Sequence, residues 1–146
     1  MGFETPLMIS PVGRRLWILT APLVYVTENG VRYEVPVGRA TDLASTWGIP
    51  VVAELYDGLA PMAATLHDML YDGIYQDEVV SRKEADSTFY EAMSWENEWY
   101  KAHGGREAIS NIERHAIWLG VATGGKSAFR GKVDGYTPSD NINTDT

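Results

Sequence analysis

Leu23-Val-Tyr-Val-Thr27-Glu-Asn-Gly30-Val31-Arg-Tyr-Glu-Val35 decides the β part of the fold. β-branched and aromatic residues alternate on both sides of Asn29-Gly30, as half-buried strands require. Asn-Gly is the preferred pair for a two-residue hairpin turn, whose central positions both need positive φ. The pattern predicts an antiparallel hairpin over Leu23–Thr27 and Val31–Val35. Upstream, Arg15–Leu19 (RLWIL) reads as a further strand, and residues 1–13, with Pro6, Pro11 and Gly13, as an irregular lead-in. Downstream, Pro36 ends the hairpin. Residues 38–60 then show no clear period, with room for a short helical turn near Val51–Tyr56. Loops this long in a compact domain are often functional.

Helical patterning takes over at Pro61, a residue suited to a helix start. Met62, Leu66, Met69 and Leu70 recur at helical spacing to Tyr71, and Gly73 is a stop. Ser81-Arg-Lys-Glu84 is a capping box. Ala85, Phe89, Ala92, Met93 and Trp99 follow on one face, so a second helix is expected to about His103, ended by Gly104-Gly105. A third is expected over about Arg106–Val121, with Ile109, Ile112, Ala116 and Leu119 as its apolar stripe and Gly124-Gly125 as its end. The expected fold is α+β: a small antiparallel sheet, including the N-terminal hairpin, packed with about three helices. One globular domain over residues 1–130 and a polar, flexible tail over 131–146 are expected.

The 146 residues include no cysteine, which excludes disulfides, thiolate metal sites and a cysteine nucleophile. The formal charge of −8, with basic residues scattered, disfavours nucleic acid, where phosphate neutralisation supplies most of the affinity. No apolar run approaches the ~20 residues of a membrane span, and Met1–Pro6 does not resemble a signal peptide. Zincin spacing, a nucleophile elbow, a Walker loop and a dinucleotide fingerprint are all missing.

Two clusters could carry chemistry. On a helix, His67 and Tyr71 share one face, and Asp68 shares another with Asp72. An imidazole acting as general base needs an orienting hydrogen bond. Asp86 can give it if the two helices pack antiparallel, which the short linker Gly73–Val80 permits. The other reading makes His67 and Tyr71 core residues and Asp86 an acid favoured in a first helical turn. The second cluster, Arg39-Ala-Thr41-Asp42-Leu-Ala-Ser45, offers compact oxygen ligands for a hard cation such as Ca²⁺, and equally suits a turn and an N-cap. His103 and His115 read as structural. Tyr90, Trp95, Trp99 and Tyr100 suit either core packing or a partner surface.

The order of three segments resembles the domain-of-unknown-function 1353 family, found mainly in phages and prophages. They are Pro36-Val-Gly38-Arg-Ala-Thr41-Asp42-Leu-Ala-Ser45, Leu66-His67-Asp68-Met-Leu70-Tyr71 and Arg82-Lys-Glu-Ala85-Asp86-Ser-Thr-Phe89. The likeness covers about residues 14–122, with departures at Arg39 and at Thr46-Trp-Gly-Ile-Pro50. The His-Asp-x-x-Tyr and Ala-Asp pair is also distantly similar to secretory phospholipases. That likeness implies His67 as the water-activating base, Tyr71 and Asp86 as its supports, and Asp68 as a Ca²⁺ ligand. Asp42 would be a second ligand, with Arg39, Thr41, Ser45 and Arg82 in supporting positions. The calcium loop and disulfides of those enzymes are missing. Two expectations follow. One is a phage-encoded, metal-assisted hydrolase of ester bonds in lipid or envelope. The other is a noncatalytic virion, tail or host-interaction protein in which the same residues form a polar network. Either would be made in the host cytoplasm, with virion incorporation open to both.

Overall fold

The computed structural model describes residues 1–14, 16–41, 59–124 and 129–131. The expected helical turn near Val51–Tyr56 and the expected tail beyond Gly131 lie outside them. The class is α+β, with small antiparallel sheets and three helices among the described residues.

The central hairpin pairs β4 (Leu23–Val26) with β5 (Arg32–Val35), from Leu23 opposite Val35 to Val26 opposite Arg32. Its connection differs from the expected two-residue turn. The Thr27 amide donates to the Val31 carbonyl (2.8 Å), and Gly30 N–H donates to the Thr27 carbonyl (2.9 Å). Gly30 has φ +86°, while Asn29 is not among the positive-φ residues. This is a three-residue loop with glycine in the left-handed position. The Thr27 hydroxyl, accepting from Val31 N–H at 2.9 Å, holds that wider closure.

The lead-in is not irregular. β1 (Gly2–Phe3) adds to β4, with Phe3 opposite Tyr25 and their rings 4.7 Å apart. Gly2, at φ +95°, lies so close to Trp95 that a Cβ there would sit 3.0 Å from its ring. β2 (Ile9–Gly13) pairs with β3 (Leu16–Leu19), and β3 pairs with β6 (Ala40–Thr41). That last pairing fixes Arg39 and Thr41 next to the sheet.

The first helix, α1, spans Pro61–Leu70 with proline at its start. It is buried around almost its whole circumference, as a central core helix should be. No side chain from its own cap reaches its amides. Glu96, from the next helix, accepts from Met62 N–H (3.1 Å) and Ala63 N–H (2.8 Å) instead. Gly73, at φ +77°, turns the chain out of α1. The linker then forms a small hairpin, β7 (Ile74–Tyr75) and β8 (Glu78–Val79), whose turn residues Gln76 and Asp77 both take positive φ.

Helix α2 runs from Arg82 to Ala102, and the Ser81 hydroxyl accepts from Glu84 N–H at 3.0 Å. Ala85, Phe89, Ala92 and Met93 are fully buried. Trp99 packs at the margin of the core and stacks on exposed His103 at 3.8 Å. The third helix, α3, spans Asn111–Gly124, starting later than expected. Asn97 causes the delay. Its Oδ1 accepts from Ala108 and Ile109 N–H, and its Nδ2 donates to the Ile109 carbonyl, so that segment stays non-helical. Ser110 and Glu113 then form a reciprocal capping box. Of the expected stripe only Ile109, ahead of the helix, is buried; Ile112 is 83% exposed, and Ile117, Trp118, Val121 and Ala122 face the core instead. None of the helices among the described residues is long and apolar enough to cross a membrane.

Candidate functional site

Glu96, late in α2, reaches the start of α1, while Asp86, early in α2, reaches its end. The two helices therefore pack antiparallel. This brings Asp86 to His67, with Nε2 to Oδ1 at 2.8 Å and both side chains fully buried. The Tyr71 hydroxyl donates to the same Oδ1 at 2.6 Å. A single carboxylate oxygen thus receives a phenol and an imidazole, one helical turn apart on α1. The His67 and Tyr71 rings pack at 4.0 Å, and Phe89 closes on His67 at 4.7 Å.

Arg82, itself buried, ties this cluster to α3. Its Nε lies 3.8 Å from Asp86 Oδ2 and makes a long contact (3.5 Å) with the Tyr71 hydroxyl. Its Nη2 donates to the Ala122 carbonyl. Burial lowers the His67 pKa, against the hydrogen bond and charge of Asp86, so the ring is held neutral. Burial, and then the Asp86 charge, raises the Tyr71 pKa, so its hydroxyl keeps the proton it donates. With Nε2 facing a carboxylate, the neutral ring carries its proton on Nε2.

Asp68 faces away from this cluster, toward a second group of charges. Arg39 Nη1 donates to Asp72 Oδ2 at 2.8 Å, and its Nη2 lies 3.3 Å from Asp68 Oδ2. Arg130 adds another guanidinium from the C-terminal side: Nε to Asp72 Oδ1 at 2.9 Å and Nη2 to the Asp68 carbonyl at 2.7 Å. Burial alone would raise the Asp72 pKa, but the hydrogen bonds and charges of the two arginines outweigh it and hold the group low.

A short strap brings Arg130 there. Its amide donates to the Tyr71 carbonyl at 2.8 Å, and Phe129 meets the Tyr71 ring edge-on at 5.3 Å. Gly131 crosses Gly73 so closely that a Cβ on Gly73 would lie 2.3 Å from the Gly131 Cα.

Residues 17–104 match the family model for DUF1353, a protein family of unknown function. The chain belongs to the DUF1353 family. No curated protein and no solved structure matches it. The DUF1353 segment contains Arg39, Thr41, His67, Asp68, Tyr71, Asp72, Arg82 and Asp86, while the strap lies beyond it.

The fold thus unites His67, Tyr71, Arg82 and Asp86 in one cluster and places Asp68 beside Arg39 in another. Thr41 is buried on β6, opposite Trp17. Asp42 and Ser45 lie outside the described residues. Among the described residues, guanidinium N–H groups face the Asp68 oxygens, and no group of three or more His, Asp or Glu side chains could hold a metal ion. Sequence reasoning missed Arg130, whose partners lie 58 and 62 residues away with no local signal. It also missed Glu96, whose partners at the start of α1 lie 34 and 33 residues away.

Proposed function

We propose that this DUF1353 protein is a phage-encoded accessory protein whose His67–Asp86 pair serves as the general base of a hydrolase acting on ester bonds of lipid or envelope. The carrying observation is the Asp86 carboxylate oxygen that accepts from both His67 Nε2 (2.8 Å) and Tyr71 (2.6 Å). A carboxylate so placed fixes the ring plane and tautomer and stabilises the imidazolium that forms on proton transfer. Proton abstraction then falls to Nδ1, because Nε2 faces Asp86, and it requires the fully buried ring to open to water. The balanced step is removal of a water proton by Nδ1, attack of the oxygen on the ester carbonyl and departure of the alcohol, which takes that proton. The resemblance of the three ordered segments to phage and prophage proteins supports the setting.

The test is hydrolysis of anionic and zwitterionic phospholipid vesicles and of short-chain esters. Wild type is compared with His67→Asn and Asp86→Asn, each checked for folding by circular dichroism. Turnover that falls by ~10²-fold or more in folded His67→Asn supports the reading. Turnover unchanged in that variant, or undetectable in wild type on every substrate, removes it.

A second reading rests on a specific observation: His67 and Asp86 are both fully buried. Here the cluster is a polar network that pins α1 to α2 and α3 in a noncatalytic virion or host-interaction protein, and such networks are retained when fully satisfied. It predicts large stability losses in the same variants and no turnover in any.

A further inference from the structure

Asp68 on α1 and Asp72 in the turn that follows it, with the Asp68 carbonyl, gather three oxygen-bearing groups at one point of the surface. Such a grouping invites a divalent cation. Ca²⁺, however, takes 6–8 oxygen ligands at about 2.3–2.6 Å and needs those oxygens free of other donors. Here both Asp72 oxygens, Asp68 Oδ2 and the Asp68 carbonyl accept from guanidinium N–H groups. Arg39 spans both carboxylates and also donates to the Asp68 carbonyl at 3.3 Å. Arg130 covers the same carbonyl and the other Asp72 oxygen, and lies 3.6 Å from Asp68 Oδ1. Two guanidinium charges meet two carboxylate charges, so the cluster is neutral without an added ion.

Arg39 is the inner of the two cations. Its side chain is 22% exposed, against 48% for Arg130, so water screens it less. The planar guanidinium suits two acceptors at once, which the point charge of lysine does not. β6, pairing with β3 immediately after Arg39, holds the residue in place.

We propose that Arg39 is the resident cation of the Asp68–Asp72 site, standing where a divalent ion would otherwise bind and excluding it, with Arg130 completing neutrality from the C-terminal strap. This does not rest on His67 being catalytic, because its readout is binding.

The experiment is calorimetric titration of the full chain with Ca²⁺, Mg²⁺, Mn²⁺ and Zn²⁺, each alone, at low ionic strength. Wild type and Asp68→Asn are expected to give the same heats. The Arg39→Gln/Arg130→Gln protein, shown folded by thermal melting, is expected to bind Ca²⁺ at least ~10-fold more strongly than wild type, and to lose that gain when Asp68→Asn is added. Arg39→Gln alone gives a second route if the double variant melts early, and binding must rise there too. Saturable binding to wild type that disappears in Asp68→Asn overturns the proposal. So does a folded Arg39→Gln protein with no gain in divalent binding.

Discussion

Replacing Glu96 with glutamine should change how the stability of this protein depends on pH. The carboxyl is buried and accepts from Met62 N–H, Ala63 N–H and the Tyr100 hydroxyl. Burial raises its pKa from 4.5 to about 7, against the lowering effect of those hydrogen bonds. The folded state therefore binds this proton more tightly than the unfolded state does. The resulting stabilisation is fully present below 4.5 and is lost as pH rises through about 7. At about 1.36 kcal/mol per pH unit between those values, the loss amounts to ~3 kcal/mol. Glutamine has no charge to lose. Urea unfolding of wild type and Glu96→Gln at pH 4.5, 5.5, 6.5 and 7.5 isolates this group, since other carboxylates contribute equally to both proteins. The variant should gain ~3 kcal/mol relative to wild type across that range, even though it gives up one acceptor at the start of α1. Parallel stability curves would show that the Glu96 carboxylate is not desolvated in the native state, and the account of how α1 is capped would fall.

Asp86→Ala should leave two buried donors, His67 Nε2–H and the Tyr71 hydroxyl, without their acceptor, at about 1–3 kcal/mol each. Chemical denaturation reads this directly, and a loss under ~1 kcal/mol would argue against the cluster. His67, its pKa lowered by burial, should titrate below the ordinary histidine value by NMR. Its contribution is present above the ordinary value and lost as pH falls through the lowered one, so a midpoint above the ordinary value would contradict its burial. Gly73→Ala combines a left-handed φ of +77° with a Cβ 2.3 Å from the Gly131 Cα. It should displace the strap and speed amide exchange at Arg130, and unchanged exchange there would show that the crossing is not tight. Ser110→Ala should cost ~1 kcal/mol through loss of the α3 cap, measured by thermal melting.

What the sequence makes legible are the contacts that local chemistry dictates. Alternation around Asn29-Gly30 specifies β4 and β5, and Ser81 with Glu84 specifies where α2 begins. A linker of Gly73–Val80 permits antiparallel packing, which is why Asp86 could be named from the residues as a candidate partner of His67, with the packing itself left to the structure. Distant partners decide the rest. Phe3 joins a sheet because Tyr25 offers it a ring, and Gly2 fits because Trp95 lies against it. The start of α3 depends on Asn97, which holds Ala108 and Ile109 out of the helix. The turn at Gln76-Asp77 lacks the Asn-Gly signal, yet both residues take positive φ. Arg130 and Glu96 carry charges whose usual place is the surface, and nothing near them in the chain points to Asp72 or to the α1 amides.

The central claim, a His67 ring poised as a base by Asp86, is tested most directly by ¹⁵N NMR of the histidine side chains at pH 7. The account predicts a neutral ring with the proton on Nε2 and an unprotonated Nδ1, together with loss of that fixed tautomer in Asp86→Asn. A proton on Nδ1 in the wild-type protein, or a charged ring at that pH, would contradict it.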